Sequence, residues 1–207
     1  GDDYDCIWSV AQTNDGGYIV GGDFDSTTVY VKQNQKLTQD MITITNNYKG
    51  ALIIKYSENG IVEWYRKITG GSDDYVFSVK QNEDGTYIVG GRKESSTIDF
   101  GNNVKLQGTG GFVAKYDSEG NALWAKRTTG IIYSAIELNG GYIAGGERVL
   151  VYYDSNGEIV QTKSISGTIY DVTQNNSGGY LIAGNNIDGQ YDVISYNSNN
   201  EIEKQYD

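Results

Sequence analysis

The sequence has no histidine and no proline, and only one cysteine and one methionine. Without histidine there is no Ser-His or Cys-His nucleophilic machinery, and most zinc and iron sites lose their usual ligand. The single cysteine, Cys6, cannot form an intrachain disulfide. With no histidine to activate it, it reads as a strand residue rather than a nucleophile. Cysteine poverty fits a cytoplasmic protein or a secreted one that uses no disulfides. Positive charge is scarce as well. Sixteen Lys and Arg against 27 Asp and Glu leave a net charge of −11. The basic footprint that nucleic acid or an anionic membrane surface requires is therefore missing. No apolar run is long enough to span a bilayer, and no signal peptide is visible. The opening, Gly1-Asp2-Asp3 without a methionine, is what an excised or mature piece of a longer protein would show. The acidity leaves cations, neutral glycans and basic proteins as partners; its plainer meaning is a solvated surface.

What the chain does have is 28 glycines and 18 tyrosines, the composition of many short strands joined by tight turns. It is also repetitive. Gly16-Gly17-Tyr18-Ile19-Val20-Gly21-Gly22 returns as Gly85-Thr86-Tyr87-Ile88-Val89-Gly90-Gly91, then as Gly140 to Gly146 and as Gly178 to Gly184. A second motif follows each copy. It reads Lys55-Tyr56-Ser57-Glu58-Asn59-Gly60, Lys115 to Gly120, Tyr152 to Gly157 and Ser195 to Asn200. Two motifs alternating four times define four units, at about residues 1–70, 71–129, 130–167 and 168–207. The tyrosines Tyr18, Tyr87, Tyr142 and Tyr180 lie 69, 55 and 38 residues apart. The period varies because the segment between the motifs is long in the first two units and short in the last two.

Each unit divides into four strands, A to D. In the second, A is about 76–82, B about 87–91, C about 111–116 and D about 122–127. Asp-Gly turns join A to B, and Ser-x-Gly turns join C to D. Asn200 replaces the turn glycine in the last unit, asparagine being the next best residue for the left-handed conformation. Four-stranded units without helical periodicity point to an all-β protein, a β-propeller of four-stranded antiparallel blades, as one domain. A β-sandwich would not repeat its sequence, and solenoid coils would be shorter and more uniform. The four tyrosines are expected at equivalent buried sites, with sugar stacking as the rival role. Trp64 and Trp124 are expected to pack on the outer strands. Closure of four blades would force strong curvature, so a truncated larger propeller or an end-to-end dimer is the alternative.

The second unit carries Ser96-Thr97-Ile98-Asp99-Phe100-Gly101, then Gly111-Phe112-Val113-Ala114-Lys115-Tyr116-Asp117-Ser118-Glu119-Gly120, then Leu123-Trp124-Ala125-Lys126. This resembles the bacterial β-propeller repeat of large secreted and cell-surface proteins. The first unit matches through Ile54-Lys55-Tyr56 and Trp64, whereas the last two lose the tryptophan, with Gln161 and Glu203 nearby. The resemblance implies a propeller at an extracellular or cell-surface location, and it carries no catalytic residue.

Function is expected where the repeats differ. The A–B and C–D turns share one face and vary little. The other face receives the B–C insertions, about Asp23 to Lys49 and Arg92 to Gly110, and the acidic D–A stretches. Asp2, Asp3, Asp5, Asp23, Asp25, Asp73, Asp74 and Lys93 are the candidate ligand-binding residues. Asp2, Asp3, Asp73 and Asp74 are the candidate Ca²⁺ ligands, and no other cofactor is indicated. The expected role is a noncatalytic binding or scaffold module for a protein or glycan. The rivals are a glycosidase or lyase with paired carboxylates and a structural spacer.

Overall fold

The structure, a computed structural model, describes residues 3–32, 41–45, 50–186 and 188–206, which form eighteen strands and no helix. The first repeat gives β1 (Asp5–Gln12), β2 (Tyr18–Phe24), β3 (Thr28–Lys32), β4 (Met41–Thr45), β5 (Gly50–Tyr56) and β6 (Val62–Ile68). The second gives β7 (Asp74–Gln81), β8 (Tyr87–Lys93), β9 (Thr97–Asp99), β10 (Lys105–Gln107), β11 (Gly110–Tyr116) and β12 (Ala122–Thr128). Then come β13 (Ile132–Leu138), β14 (Gly141–Tyr153), β15 (Ile159–Gln174), β16 (Tyr180–Asn185), β17 (Tyr191–Tyr196) and β18 (Ile202–Tyr206).

The first two repeats are antiparallel four-stranded sheets in the order β1-β2-β5-β6 and β7-β8-β11-β12. Each insertion between the second and third strand is a hairpin, β3-β4 or β9-β10. The remaining strands form one six-stranded sheet, β13 to β18. Within it β14 folds back on itself. Arg148 takes a φ of 57°, and a Cβ on Gly141 would lie 2.3 Å from the Tyr153 carbonyl oxygen, a distance impossible along a straight strand. The insertion that separates second and third strands elsewhere is here reduced to Glu147-Arg148. Strand β15 pairs with β14 through its first half and with β16 through its second, so repeats three and four share one strand.

Successive repeats pack face to face, and each interface is a core of its own. Ile19, Ala51, Ile53 and Ile68 of the first meet Val76, Val79, Tyr87, Phe112 and Tyr116 of the second. Ile88 and Val113 meet Ile132, Ala135, Tyr142 and Val151. Ile136, Ile143 and Leu150 meet Ile169, Val172, Tyr180 and Ile182. Each repeat thus has a leading face, turned toward the repeat before it, and a trailing face, turned toward the next. On the leading face of the first sheet, Phe24, Leu52, Ile54 and Val62 are covered by Val31 and Ile44 of the β3-β4 hairpin. Among the described residues no strand of the first sheet packs substantially against β15 to β18, so the stack is an open arc.

The tyrosine expectation holds at three positions and fails at the fourth. Tyr87, Tyr142 and Tyr180 are buried, whereas Tyr18 is 43% exposed. Each buried ring is covered by the preceding repeat. Trp64 meets Tyr87 edge-on at 5.5 Å and Trp124 meets Tyr142 at 5.5 Å. The Tyr152 hydroxyl lies 2.5 Å from that of Tyr180. Among the described residues Tyr18 has no such cover. Asn200 takes the left-handed conformation (φ 64°) that the turn position demands.

Candidate binding surface

Three of the acidic residues singled out on the B–C/D–A face, Asp5, Asp23 and Asp74, bond to the fold itself through their side chains. Asp5 begins β1 and accepts from the Ser26 hydroxyl (2.8 Å) and backbone amide (3.2 Å). Asp74 begins β7 and does the same for Ser95, at 2.6 and 3.2 Å, while also accepting from the Glu94 amide at 3.0 Å. One device, an aspartate tying the start of the insertion to the innermost strand, thus serves both of the first two repeats. Burial pushes the Asp74 carboxyl above the usual range, only partly offset by these bonds. Lys93 is buried too and donates to the Ser95 carbonyl at 2.7 Å and to the Gly108 carbonyl; burial pushes its ammonium down. Asp23 is buried and accepts from Trp8 Nε1. The Asp25 amide donates to the Tyr4 carbonyl at 2.9 Å, and the Asp3 amide donates to Ser26 at 2.9 Å. Asp73 is half-buried beside Asp74. Asp2 lies outside the described residues, as do parts of the first insertion. Among the described residues no three acidic or thiol groups converge as a cation site. Cys6 is half-buried in β1.

The described parts of the insertions are packed against the sheets. Ile98 and Phe100 of the second are fully buried, and Phe100 meets Phe112 at 5.0 Å. The Thr69–Asp99 bridge stitches this insertion to the end of the first repeat.

A different feature runs along the inner strands. Every first strand of a repeat carries a β-bulge, between Ile7 and Ser9, Val76 and Ser78, Ile132 and Ser134, and Ile169 and Asp171. A bulge turns its extra side chain out of the alternation, and the extra residue is aromatic each time: Trp8, Phe77, Tyr133 and Tyr170. Their rings form a continuous ribbon with centroids 5.6, 5.3 and 5.6 Å apart. Trp8 and Tyr170 at its ends are half exposed. Tyr75 stacks on Phe77 at 5.6 Å, and Arg92 lies over Tyr75 at 5.8 Å while pairing with Glu94.

Beside the ribbon stands the residue that follows each motif's closing glycine: Asp23, Arg92, Glu147 and Asn185. The aromatic element recurs and its polar neighbour changes from repeat to repeat. Burial, and then the Glu147 carboxylate, push the Tyr133 hydroxyl up. Arg92, Lys93, Glu94, Glu147 and Ser72 line an open cleft of about 500 Å³ between the second and third repeats. A second cleft, about 470 Å³, lies on the opposite face among Lys80, Glu83, Glu137 and Asn139. The ribbon was readable as an aromatic recurring two residues before the strand's Val or Ala. That the four rings are turned out together does not follow from strand alternation, because a bulge breaks it.

No known protein family and no curated protein sequence matches the chain. Solved structures do. The WD40 domain of Neurospora crassa Pan2 superposes with a TM-score of 0.61 at 12% identity, covering 100% of this chain and 52% of that one. A protein of unknown function from Bacteroides caccae gives 0.53 at 13% identity, covering 99% and 82%. The β-propeller domain of Myceliophthora thermophila Cps50 (Swd1) gives 0.50 at 12% identity, covering 98% and 58%. The fold is therefore that of a β-propeller, and the chain spans about half the length of the Pan2 domain.

Proposed function

We propose that this chain is a noncatalytic scaffold module that binds a protein partner through its B–C/D–A face, as part of a bacterial surface or secreted protein. The observation that carries the reading is the aromatic ribbon Trp8–Phe77–Tyr133–Tyr170 with Arg92, Glu147 and Asp23 beside it. Aromatic rings and arginine dominate the energetics of protein interfaces. A platform that repeats with polar neighbours that do not is suited to one asymmetric partner. On this face Asp5 and Asp74 accept from Ser26 and Ser95. One fold neighbour, BBS1N, is seen in complex with ARL6DN; it superposes at a TM-score of 0.50 and 10% identity.

The test is partner capture by the wild-type chain, by Arg92→Glu with Tyr133→Ala, and by Glu83→Lys on the opposite face. Loss with the first variant alone supports the reading. Loss with Glu83→Lys alone assigns binding to the other face, and binding on a glycan array without any protein capture replaces the partner class.

A further inference from the structure

The leading face of the first sheet is a complete interface without its other half. At each of the three interfaces the following repeat sends a β-branched residue, Val76, Ile132 or Ile169, against a bare glycine of the preceding one. A Cβ on Gly21 would lie 2.4 Å from Val76 Cγ1, one on Gly90 2.6 Å from Ile132 Cγ2, and one on Gly145 2.5 Å from Ile169 Cγ2. The first two interfaces add a tryptophan over a turn glycine. A Cβ on Gly120 would lie 2.7 Å from Trp64, and one on Gly157 2.4 Å from Trp124. Where the tryptophan becomes Gln161, the glycine beneath becomes Asn200. The inner strands are also tied. Ser9 Oγ accepts from the Val79 amide at 3.1 Å, and Ser78 Oγ accepts from the Ala135 amide at 3.3 Å.

The first sheet carries the receiving half of all this. Ile7 stands where Val76, Ile132 and Ile169 stand, and Val10 where Val79, Ala135 and Val172 stand, by strand register. Tyr18 matches the three buried tyrosines. Ile7, Val10 and Tyr18 are 55%, 67% and 43% exposed. Gly60 is retained, and among the described residues nothing lies within 4 Å of the Cβ position above it. The β3-β4 hairpin occupies the outer half of this face, the place that β9-β10 takes between the first two repeats. Its described residues leave the inner half open, as the second hairpin does.

The far end of the arc differs. On the trailing face of the last repeat Ala183 replaces the bare glycine, Asp171 the serine, Ser195 the lysine of Lys55 and Lys115, and Lys204 the tryptophan. A second copy offering that face would drive Ala183 into Ile7, so a head-to-tail dimer in this register does not fit. The same face keeps Leu181, Val193 and Tyr206, so it departs from the other trailing faces at these interface positions rather than by being polar throughout.

We propose that the leading face of the first sheet docks a further blade of this same repeat, preceding Asp5 in the same polypeptide. That blade would carry glycine, lysine and tryptophan at the positions of Gly90, Lys115 and Trp124. The continuity with three existing interfaces selects this occupant. The experiment fuses a second copy of residues 71–129 ahead of Asp3 in the otherwise complete chain. Hydrogen exchange is then read at β1 and β2. The expected result is at least tenfold slower exchange from Ile7 to Val20. The gain should be absent when the added copy carries Gly90→Ala and Trp124→Ala, or when residues 168–206 are added instead. Slowing by all three additions, or by none, overturns the proposal. So does sedimentation of the unmodified chain as a dimer already protected at Ile7 and Tyr18, which would assign the face to a second copy.

Discussion

At the scale of single residues, position in a repeat does not fix burial; the neighbouring repeat does. Tyr87→Ala removes a buried ring under Trp64 and is expected to cost about 3–5 kcal/mol, while Tyr18→Ala should cost less than about 1 kcal/mol by the same denaturant titration. Equal costs would show that Tyr18 is covered in solution. That difference was not legible in the sequence, where the four motifs read alike. Lys55 offers a second test. Its ammonium is buried and donates to Asp15 and Glu63, each at 2.8 Å. Burial alone would lower its pKa, but the two hydrogen bonds prevail and it is raised. The same contact, helped by Thr13, holds the Asp15 carboxyl well below its ordinary 3.8. A depressed carboxyl stabilises above its unfolded value and loses that contribution as pH falls through the folded one. A raised ammonium stabilises below its ordinary 10.5 and loses the contribution at higher pH. Lys55→Met should therefore lower the urea midpoint at pH 7. The gap to wild type should narrow below about pH 4; a gap independent of pH would mean that packing, not charge, is what Lys55 supplies.

At the scale of elements, the strands of the first two repeats lay where alternation and Asx-Gly turns put them: β7, β8, β11 and β12 differ from expectation by one or two residues at their ends. The insertions were harder. Length and polarity made them look like loops free for a ligand, yet Ile98 and Phe100 are core residues. An isolated Ile-x-Phe cannot announce a hairpin when its partner surface, Ile68 and Phe112, belongs partly to another repeat. Phe100→Ala is accordingly expected to destabilise by about 3–5 kcal/mol, seen as a lower midpoint at unchanged slope. A silent substitution would return the insertion to the class of free loops. The candidate site divided in the same way. Loop variation gave a face as an expectation only; of the aspartates chosen on it for charge, Asp5 and Asp74 serve Ser26 and Ser95, and the bulged aromatics that make the ribbon carry no local mark of exposure. The merging of repeats three and four through the long strand β15 was not foreseen.

At the scale of the whole molecule, protection should follow the arc. The second sheet, flanked on both sides, should exchange its amides most slowly, and β1 and β18 fastest; uniform protection would mean that the ends are covered. With a net charge of −11, self-repulsion opposes compaction, so moderate salt should raise the melting temperature. A fall with salt would show that local pairs such as Lys126–Glu158 outweigh it. The shared strand β15 has a mechanical meaning as well. Pulled from its two ends, the chain would yield the first and second sheets as separate events, because only side-chain packing, hairpin contacts and a connecting segment join them. Repeats three and four are joined by strand pairing, β15 bonding to β14 and then to β16, so they should give way together, in a single step releasing on the order of 25 nm of extended polypeptide. The last two repeats are thus one structural unit under load, whatever their sequence period suggests.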